Sequence, residues 1–541
     1  MPSDLPAETL SENWFDRQSE RVRRIAKRFL LLTIVLIGAL CGILAVLFHR
    51  FVEAARALLI GRALNTSEPW RSVLIVITPA LVFALLAWCI RRLAPRAVGA
   101  NLARVRIAYN RNPEALGWRS IVATFIATPL SLGAGAPLGP EGPIVVITSG
   151  TSAAIARILR LPRRLVRGMI PVGVAAGIAA IFNTPITGVV FALEEVFGSA
   201  ERDLLGGVIV GAVSAAVVER SLLGGQPILA APFANWGDAR ELLGFALIGI
   251  LAGVVSGYAI TLTHRLKRLG ARAMPSMPLR AAIAGMSIGA LGLLAPSILG
   301  VGYDSVSLWL HGGGTAEQTA LAFGAKTIAF IIAISAGVLG GTFAPSLFMG
   351  AALGAAIGHL AQKVFPGAGI DPRAYALLGM GSFFAGLLRS PISAVLIVVE
   401  LTRDYELMIP LMLAVSLSVM VSRRISRNSM VEQQMIDEGY IEAKESSDPL
   451  ANVRVSEAMQ ANPTTVSADV TLRDAARGVA GMHHRIYPVV DAEGRFAGVL
   501  SRESIESAAR ENTLDSSVLA SIEQPKLIAT AGELLIDLVQ R

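Results

Sequence analysis

The chain has 541 residues, of which 53% are hydrophobic and 16% are charged, and its mean hydropathy is +0.59. Soluble globular domains carry about 25% charged residues, so this composition excludes a large soluble protein and predicts a polytopic membrane protein. The net charge of +8 fits the basic loops that face the cytoplasm in membrane proteins, and no nucleic-acid partner is predicted from it.

A basic segment opens the chain. Six Arg and Lys residues lie between Arg17 and Arg28, directly before the first apolar run at 29–51. Because cytoplasmic flanks of membrane helices are rich in Lys and Arg, residues 1–28 are predicted to be a cytoplasmic N-terminal segment. The apolar run is too long for a cleaved signal peptide.

Apolar segments follow along most of the chain, and Gly or Pro interrupts several of them. The breaks lie at 133–143 and at Pro171, Pro185, Pro345 and Pro391. Irregular backbone within a membrane is tolerated only where protein or a water-filled cavity satisfies the freed polar groups, so these breaks predict a transport pathway. The predicted segments are 29–51, 72–90, 119–138, 143–160, 169–197, 204–221, 241–263, 281–303, 319–340, 343–364, 374–400 and 407–423.

One of these breaks contains a carboxylate. Glu141 lies in the sequence GPEGP at 139–143, just before a helix predicted to begin near Ile144. Helix N-termini present unpaired N–H groups and a positive dipole end, and they bind anions. An ionised Glu141 is expected to occupy an anion site and a protonated one to leave it, so that one residue acts as gate and proton acceptor. A helix-capping Glu is the alternative.

The two halves of the chain resemble each other. NTPITGVVFALE at 183–194 matches RSPISAVLIVVE at 389–400, and the first break matches GTFAP at 341–345 at nearly the same offset. The pattern predicts an internal duplication, with repeats at about 29–222 and 241–423 and a binding site at their interface. The amides of the second break are expected to face the same point as those of the first. Chance similarity of apolar sequence is the alternative.

Two acidic residues, Glu194 and Glu195, end the apolar stretch of the first repeat. An acidic pair at the end of an apolar helix is often solvated at the membrane interface. From the residues alone, that is the simpler interpretation of this pair.

The sequence contains one pattern that resembles an enzymatic motif, and helix packing explains it better. GMSIG at 285–289 fits the nucleophile-elbow pattern, but it lies within an apolar run of membrane length. Helix packing explains it better, as it explains Gly249, Gly253 and Gly257, which share one helix face. There is no Walker A sequence, and Cys41 and Cys89 lie in apolar runs. The histidines show no metal-ligand spacing, so we predict neither an enzyme nor a metal or other cofactor.

The chain becomes polar after about residue 423. Residues 455–504 are predicted as strand, helix, strand, strand, helix, with strands at 487–491 and 496–500 around a turn at 493–494. This pattern predicts a small soluble α/β domain at the C-terminal end.

The motifs together resemble one family. GPEGP at 139–143, AIFNTP at 180–185, FALEE at 191–195 and GTFAP at 341–345 have the order and spacing of the CLC family of chloride channels and chloride/proton exchangers. The resemblance covers about residues 29–435. It implies an all-α polytopic membrane protein, built as an inverted repeat with broken and tilted helices, and a homodimer with a separate pore in each subunit.

The tail, residues 450–541, resembles a CBS domain, with one full copy and a truncated second copy from Pro525 to Arg541. CBS domains often follow CLC membrane domains. The resemblance permits an adenine nucleotide to bind the tail. A membrane sensor whose tail binds nucleotide and whose membrane part does not transport is therefore a rival from another functional class.

The resemblance also implies roles for single residues. Glu141 corresponds to the external gating glutamate. Gly142 and the backbone amides of Thr342 and Phe343 correspond to positions that hold the central anion. Glu195 corresponds to the internal proton-transfer glutamate, where channels of the family carry an apolar residue, so Glu195 favours exchange over passive conduction.

Three positions depart from the family pattern. Its first anion motif, GSGIP, aligns with Gly99, Ala100 and Asn101 onward, so that Ala100 replaces the serine that donates to the anion. Val431 aligns with the pore tyrosine. Each lost hydrogen bond to a charged partner is worth about 1.5–3 kcal/mol, so lower chloride affinity and a thinner inner barrier are expected.

The third departure is Pro140, which stands where a basic residue is common. Asn101 is a candidate replacement donor for the missing side chains. Fluoride-selective members carry asparagines in this motif and nitrate-selective members change its serine, so the preferred anion stays open.

These observations predict proton-coupled exchange of small anions, chloride foremost, across the plasma (inner) membrane, with both termini cytoplasmic. The alternatives are a passive anion channel of the same fold and an exchanger that prefers fluoride or nitrate.

Overall fold

The structure is a computed structural model. It describes the backbone of residues 7–65, 70–94, 101–110, 116–197, 205–225, 241–403, 405–438, 455–460, 463–480 and 484–525, together with 113, 229, 453, 482, 528–531, 533, 535 and 538, and side chains from Phe29 onward. The chain divides into two compact units, Met1–Tyr440 and Ile441–Arg541.

In its described parts, the first unit is built from helices joined by short loops. Short π-helical segments at Ala57–Gly61 and Leu193–Phe197 and a 3₁₀ turn at Pro296–Ile298 interrupt the α-helices. The predicted boundary at residue 28 falls within the first helix, which runs on from Ala7. The helices are α1 Ala7–Arg56, α2 Arg62–Asn65, α3 Arg71–Leu93, α4 Leu102–Asn110, α5 Trp118–Gly133, α6 Glu141–Ile158, α7 Arg163–Phe182, α8 Pro185–Ala192, α9 Leu205–Leu223, α10 Glu241–Ala273, α11 Met277–Leu294, α12 Tyr303–Leu310, α13 Ala316–Ala336, α14 Phe343–Val364, α15 Pro372–Leu388, α16 Pro391–Thr402, α17 Met408–Ile425 and α18 Met430–Asp437.

Helix length and composition agree with a membrane protein. Within the described residues, nine helical stretches are long and apolar enough to cross a membrane. Large apolar side chains such as Leu81, Leu243 and Ile409 lie exposed on them. Such a surface is unfavourable in water and suits a lipid environment.

The predicted duplication is visible in how the helices pack. In the first half α6 packs on α7, α7 on α9, and α1 on α9; in the second half α14 packs on α15, α15 on α17, and α10 on α17. The halves meet where α3 packs on α11 and α8 on α16.

Both halves break their long apolar stretch in the same way. The predicted segment 169–197 divides into α7 and α8 at Asn183, whose φ is +56°, and 374–400 divides into α15 and α16 at Arg389, whose φ is +68°. Pro185 and Pro391 then open the next helix, a position that proline favours. The predicted breaks at Pro185 and Pro391 agree with these helix boundaries, and the left-handed residue ahead of each proline completes the turn of the chain.

Glycines allow the backbones of facing helices to approach closely, as predicted. A Cβ at Gly253 of α10 would lie 2.6 Å from the carbonyl oxygen of Ser418 on α17. A Cβ at Gly38 of α1 would likewise lie 2.6 Å from the carbonyl oxygen of Gly211 on α9. Both helix pairs are thus held at a separation that only glycine permits.

The second unit contains a small α/β fold with α19 Val455–Ala458, β1 Val466–Ser467, α20 Leu472–Gly478, β2 Ile486–Val490, β3 Phe496–Ser501 and α21 Arg502–Arg510. Strand β1 pairs in parallel with β2, and β2 pairs antiparallel with β3 through the predicted turn, where Gly494 has φ +76°. A helical turn precedes the predicted order of elements.

The tail surface carries a bidentate ion pair. Arg473 donates from Nε to Asp515 Oδ1 at 2.8 Å and from the terminal nitrogen to Oδ2 at 3.1 Å. These hydrogen bonds lower the pKa of Asp515 and raise the pKa of Arg473.

Candidate functional site

The two Gly/Pro-rich breaks meet at one point between the repeats. Gly139 donates its N–H to the carbonyl of Gly341 at 2.9 Å, and Gly341 donates to the carbonyl of Gly139 at 2.6 Å. A Cβ at Gly341 would lie 2.6 Å from the nitrogen of Gly142, so this approach requires glycine. The prediction that the two breaks face each other agrees with this pairing.

Two buried helices begin beside this Gly139–Gly341 pair. Helix α6 begins at Glu141 and α14 begins at Phe343. The predicted start near Ile144 is wrong by three residues, because the helix takes in Glu141 and Gly142 ahead of Pro143. Glu141 therefore stands in the first turn of α6, with the first turn of α14 opposite, where unpaired amides favour negative charge.

The side chain of Glu141 is fully buried at this meeting point. Its Oε1 accepts a hydrogen bond from the hydroxyl of Tyr303 at 2.6 Å, and its Oε2 accepts one from the backbone N–H of Ala344 at 3.3 Å. A Cβ at Gly139 would overlap Oε2, so the carboxylate lies over the glycine pair. The carboxylate thus accepts a hydrogen bond from the amide of Ala344, which follows the two amides, of Thr342 and Phe343, that the family resemblance assigns to the anion.

Phe343 lies in a cluster of aromatic rings. Its ring centroid is 4.8 Å from that of Phe191, 4.9 Å from that of Phe384 and 6.3 Å from that of Phe182. Thr342 precedes it as the N-cap residue of α14 and makes no capping hydrogen bond with its side chain. Apolar rings therefore surround the side chain of Phe343 in the first turn of α14.

Glu195 lies on the π-helical segment that follows α8. Its side chain is only 5% exposed; Oε1 accepts a hydrogen bond from the hydroxyl of Ser390, and the guanidinium of Arg106 lies 4.0 Å from Oε2. The interpretation of Glu195 as a solvated interfacial residue is wrong. Phe191, one turn earlier on the same helical stretch, contacts the ring of Phe343, so this stretch packs against the first turn of α14.

Glu194 points elsewhere and caps a helix. It accepts hydrogen bonds from the backbone N–H groups of Ile392 and Ser393 at 3.0 and 2.8 Å and from the Ser393 hydroxyl at 2.5 Å, all at the start of α16. Glu194 is half-buried, so an interfacial position stands, but the carboxylate also satisfies amides that α16 leaves unpaired.

The second repeat makes the same cap in return. Glu400 accepts from the N–H groups of Ile186 and Thr187 at 3.1 and 2.6 Å and from the Thr187 hydroxyl at 2.6 Å, at the start of α8. Each repeat thus caps the other.

Of the remaining predicted anion residues, Asn101 and Val431 lie in the described part of the chain, and both make contacts elsewhere than at Glu141. Gly99 and Ala100 fall outside the described residues. Val431 is 2% exposed and packs in the apolar core. Asn101 accepts a hydrogen bond through Oδ1 from the N–H of Arg104 at 3.3 Å, as the cap of α4.

Asn101 also lines a cavity of about 110 Å³ that reaches Gly340, directly before the second break. Lys267 and His264 of α10 line this cavity and pair with Asp437 of α18 at 2.9 and 2.6 Å. Polar and apolar side chains line the cavity together, and it is large enough for water or a small ion.

In the described part of the chain, no group of three or more His, Cys, Asp and Glu side chains is arranged to hold a metal ion.

Two residues of this site, Tyr303 and Lys326, were not predicted from the sequence. Lys326 lies within α13, is fully buried, and donates to the carbonyls of Ile298, Gly300 and Val301 at 2.9, 2.7 and 3.3 Å. A lysine inside an apolar helix is a signal that was available, since such charges are costly in a membrane. Tyr303 carries no comparable signal.

Comparison with known proteins agrees with the geometry. The model of the family described as voltage gated chloride channel matches residues 81–423, and that of the CBS domain matches residues 455–511. The chain therefore belongs to the voltage-gated chloride channel (CLC) family, with a C-terminal CBS domain.

Two relatives and one solved structure illustrate the likeness. A ClcB-like protein of Ralstonia nicotianae is 34% identical over 288 residues, 52% of this chain and 67% of that protein. The H(+)/Cl(-) exchange transporter ClcA of Klebsiella pneumoniae is 28% identical over 411 residues, 73% of this chain and 87% of that protein. The fold is that of a slow cyanobacterial Cl-/H+ antiporter, with a TM-score of 0.69 at 22% identity over 76% of this chain and 97% of that chain.

Proposed function

We propose that this protein exchanges small inorganic anions, chloride foremost, for protons across a membrane, and that it is a transporter rather than an enzyme. The buried carboxylate of Glu141 carries the proposal. Its Oε2 accepts a hydrogen bond from the backbone N–H of Ala344 on α14, and an anion bound at the same point would accept that hydrogen bond instead. An ionised Glu141 therefore competes with the anion, and a protonated one makes room for it, so the binding of proton and anion is linked.

Glu195 supports exchange over conduction. It is a second buried carboxylate, and Phe191, one turn earlier on the same helical stretch, contacts the ring of Phe343 at the start of α14. Buried carboxylates within a membrane commonly mark proton routes. We propose that protons pass between Glu195 and Glu141, while anions reach Glu141 by a partly separate route past the cavity beside Asn101.

The orientation follows from the basic N-terminal segment. With residues 1–28 in the cytoplasm, α1 crosses once and brings Arg56 to the opposite face. Arg56 pairs with Asp304 at 3.0 Å, and the adjacent Tyr303 contacts Glu141. We therefore propose that Glu141 is reached from the extracellular side, with both termini in the cytoplasm and the protein in the plasma (inner) membrane.

Flux from reconstituted protein tests the proposal. Purified protein in liposomes is given an anion gradient, and anion efflux and internal pH are recorded together for chloride, fluoride and nitrate in turn. Uphill proton movement driven by the anion gradient is expected, and the anion that drives it fastest is the preferred substrate. Anion efflux without proton movement would contradict exchange.

A passive anion channel of the same fold is the second candidate. Val431, at the position of the family's pore tyrosine, is apolar and packed in the core, so it offers no hydroxyl to an anion or to an inner barrier. A channel predicts anion efflux with no coupled proton signal in the same assay.

We further propose that the protein acts as a homodimer, as the family resemblance implies, with the exposed Ile186 of α8 and Ile392 of α16 on neighbouring helices as the contact surface. Single-molecule subunit counting in liposomes tests this, with one subunit per particle as the contrary result.

Binding of an adenine nucleotide to the tail is a separate proposal. Calorimetric titration of the full chain with ATP and AMP tests it, and no heat would contradict it.

A further inference from the structure

We propose that Tyr303 is a positioning residue of the gate: its hydroxyl holds the ionised carboxylate of Glu141 in the anion site and releases it on protonation. This inference rests on the exchange function proposed above. It gives α12 a part in gating that none of the sequence motifs contains.

The contact between Tyr303 and Glu141 has the geometry of a strong hydrogen bond. Its length of 2.6 Å falls in the range for a hydroxyl that donates to an ionised carboxylate. The second donor, the N–H of Ala344, is longer at 3.3 Å. A hydrogen bond to a charged acceptor is about twice as strong as one to a neutral acceptor, so the tyrosine favours the ionised, seated carboxylate over the protonated one.

Tyr303 is held in place by a rigid loop. The residue follows Gly302, whose φ is +92° and whose Cβ would lie 2.6 Å from the ring of Phe348. The ammonium of Lys326 donates to the carbonyls of Ile298, Gly300 and Val301, which uses all three of its protons.

The same ammonium lies 4.6 Å from the centre of the Phe348 ring. This loop therefore has little freedom, and Tyr303 at its end presents its hydroxyl from a fixed position.

Removal of the tyrosine hydroxyl alters none of the charges around Glu141. In the described part of the chain, Arg56 of α1 pairs with Asp304 of α12 at 3.0 Å, and Lys326 lies on α13. Among the other ionisable groups on the elements that pack on α6 or α14 are His49, Arg50 and Glu53 of α1, Arg104 and Arg106 of α4, Arg119 of α5, and His359 and Lys363 of α14. The arginines that open α7 lie beside the far end of α6, about 25 Å along that helix from Glu141. A change in the pH response of Glu141 on loss of the tyrosine hydroxyl is thus assignable to the hydrogen bond.

The consequence is a specific change in the pH profile of transport. At high pH the ionised Glu141 is held in the site and competes with the anion. Removal of the Tyr303 hydroxyl weakens that competition by roughly tenfold, the scale of one hydrogen bond to a charged group. At low pH Glu141 is protonated and has already left, so the same removal has little effect.

The experiment compares Tyr303→Phe with wild type in liposomes, with chloride flux measured from pH 4.5 to pH 8. We expect the apparent affinity for chloride at pH 8 to rise by roughly tenfold in the variant, and flux at pH 4.5 to stay unchanged. Tyr375→Phe is the matched control, since this buried tyrosine of α15 packs on Phe245 and is expected to leave the profile unchanged.

A double variant separates gating from structure. In Glu141→Gln protein the Tyr303→Phe change should have no effect on the profile, because no ionised carboxylate remains to be held. A Tyr303→Phe profile that superimposes on wild type, with proton coupling intact, would overturn the role of Tyr303 and leave exchange standing. Wild type without proton coupling would overturn exchange, and the pH profiles would still decide whether Tyr303 positions Glu141.

Discussion

The two breaks that meet in the membrane unit share a backbone and differ in their side chains. Each presents a glycine to the other, each is followed at once by a buried helix, and each has a proline in the first turn of that helix. The position that is Glu141 in the first repeat is Phe343 in the second. One repeat thus supplies a carboxylate that responds to protons, and the other supplies amides beside a cluster of aromatic rings.

The acidic pair at the end of α8 shows the same difference between shared and unshared side chains. Glu194 and its counterpart Glu400 cap each other's repeat with equivalent hydrogen bonds, whereas Glu195 has Leu401 as its counterpart. Features that both repeats keep hold the fold together. The residues to which we assign proton transfer, Glu141 and Glu195, are those that only one repeat carries.

Replacement of Glu195 tests that distinction with the largest expected effect. Glu195→Gln should lower proton movement by roughly a hundredfold, the scale of a lost positioned proton carrier, while anion flux persists. Proton and anion flux are recorded together in liposomes. The neighbouring Glu194→Gln is the control and should keep its proton-to-anion ratio. Loss of coupling in both variants, or in neither, would contradict the assignment.

Overpacking of the helix pairs should reveal the shared architecture. Gly38→Ala would press on Gly211, and Gly249→Ala would overlap the carbonyl oxygen of Ala414. Each is expected to lower the free energy of unfolding by about 1–3 kcal/mol, as measured by denaturation in detergent. Gly324→Ala is the control, since its Cβ meets nothing within 4 Å. If Gly324→Ala were as costly as the other two, close helix packing would not be the cause.

The reciprocal caps should behave as a matched pair. Glu194→Ala and Glu400→Ala each remove an acceptor from two backbone amides and one hydroxyl, so each should cost about 1–2 kcal/mol of unfolding free energy. Proton coupling should stay at the wild-type ratio in both. A cost in only one of the two variants would show that the caps are not equivalent.

The tail differs from the membrane unit in that it matches a single CBS domain rather than a pair of repeats. The smallest of the expected effects is the loss of its Arg473–Asp515 ion pair. Arg473 lowers the pKa of Asp515, so the folded tail favours the ionised carboxylate. This contribution to stability is present at neutral pH and is lost as the pH falls below about 4, the ordinary pKa of Asp, and through the lower value of the folded state.

Both side chains of this ion pair are exposed, so the contribution is small. Hydrogen exchange of the 471–517 region in the full chain, corrected for intrinsic rates, should show lower protection in Asp515→Asn than in wild type at pH 7 and equal protection at pH 3. Equal protection at both pH values would contradict a stabilising role for the pair.

The sequence carried strong signals for the architecture. The Gly and Pro breaks and the matched stretches at 183–194 and 389–400 predicted the repeats and their meeting point, because irregular backbone in a membrane has few explanations. The single-copy α/β tail was equally readable from its strands and turn. The breaks at Pro185 and Pro391 were predicted as well, but the left-handed residues ahead of them, Asn183 and Arg389, were not, since neither residue type demands that conformation.

The contacts of the site were less accessible. Glu194 and Glu195 are adjacent in sequence, yet one caps α16 and the other is buried beside Ser390 and Arg106, because successive residues of a helix point to different faces. Tyr303 lies 162 residues from Glu141, and an ordinary tyrosine gives no sign of such a partner. Only packing in three dimensions brings these groups together.

The central claim is that Glu141 links anion and proton movement, and one variant tests it most directly. Glu141→Gln protein in liposomes is compared with wild type and with Glu317→Gln, an exposed glutamate of α13 that pairs with Lys363. The account predicts that anion efflux persists in Glu141→Gln while proton movement falls to background, and that Glu317→Gln behaves as wild type. Uphill proton movement that survives in Glu141→Gln would contradict the account.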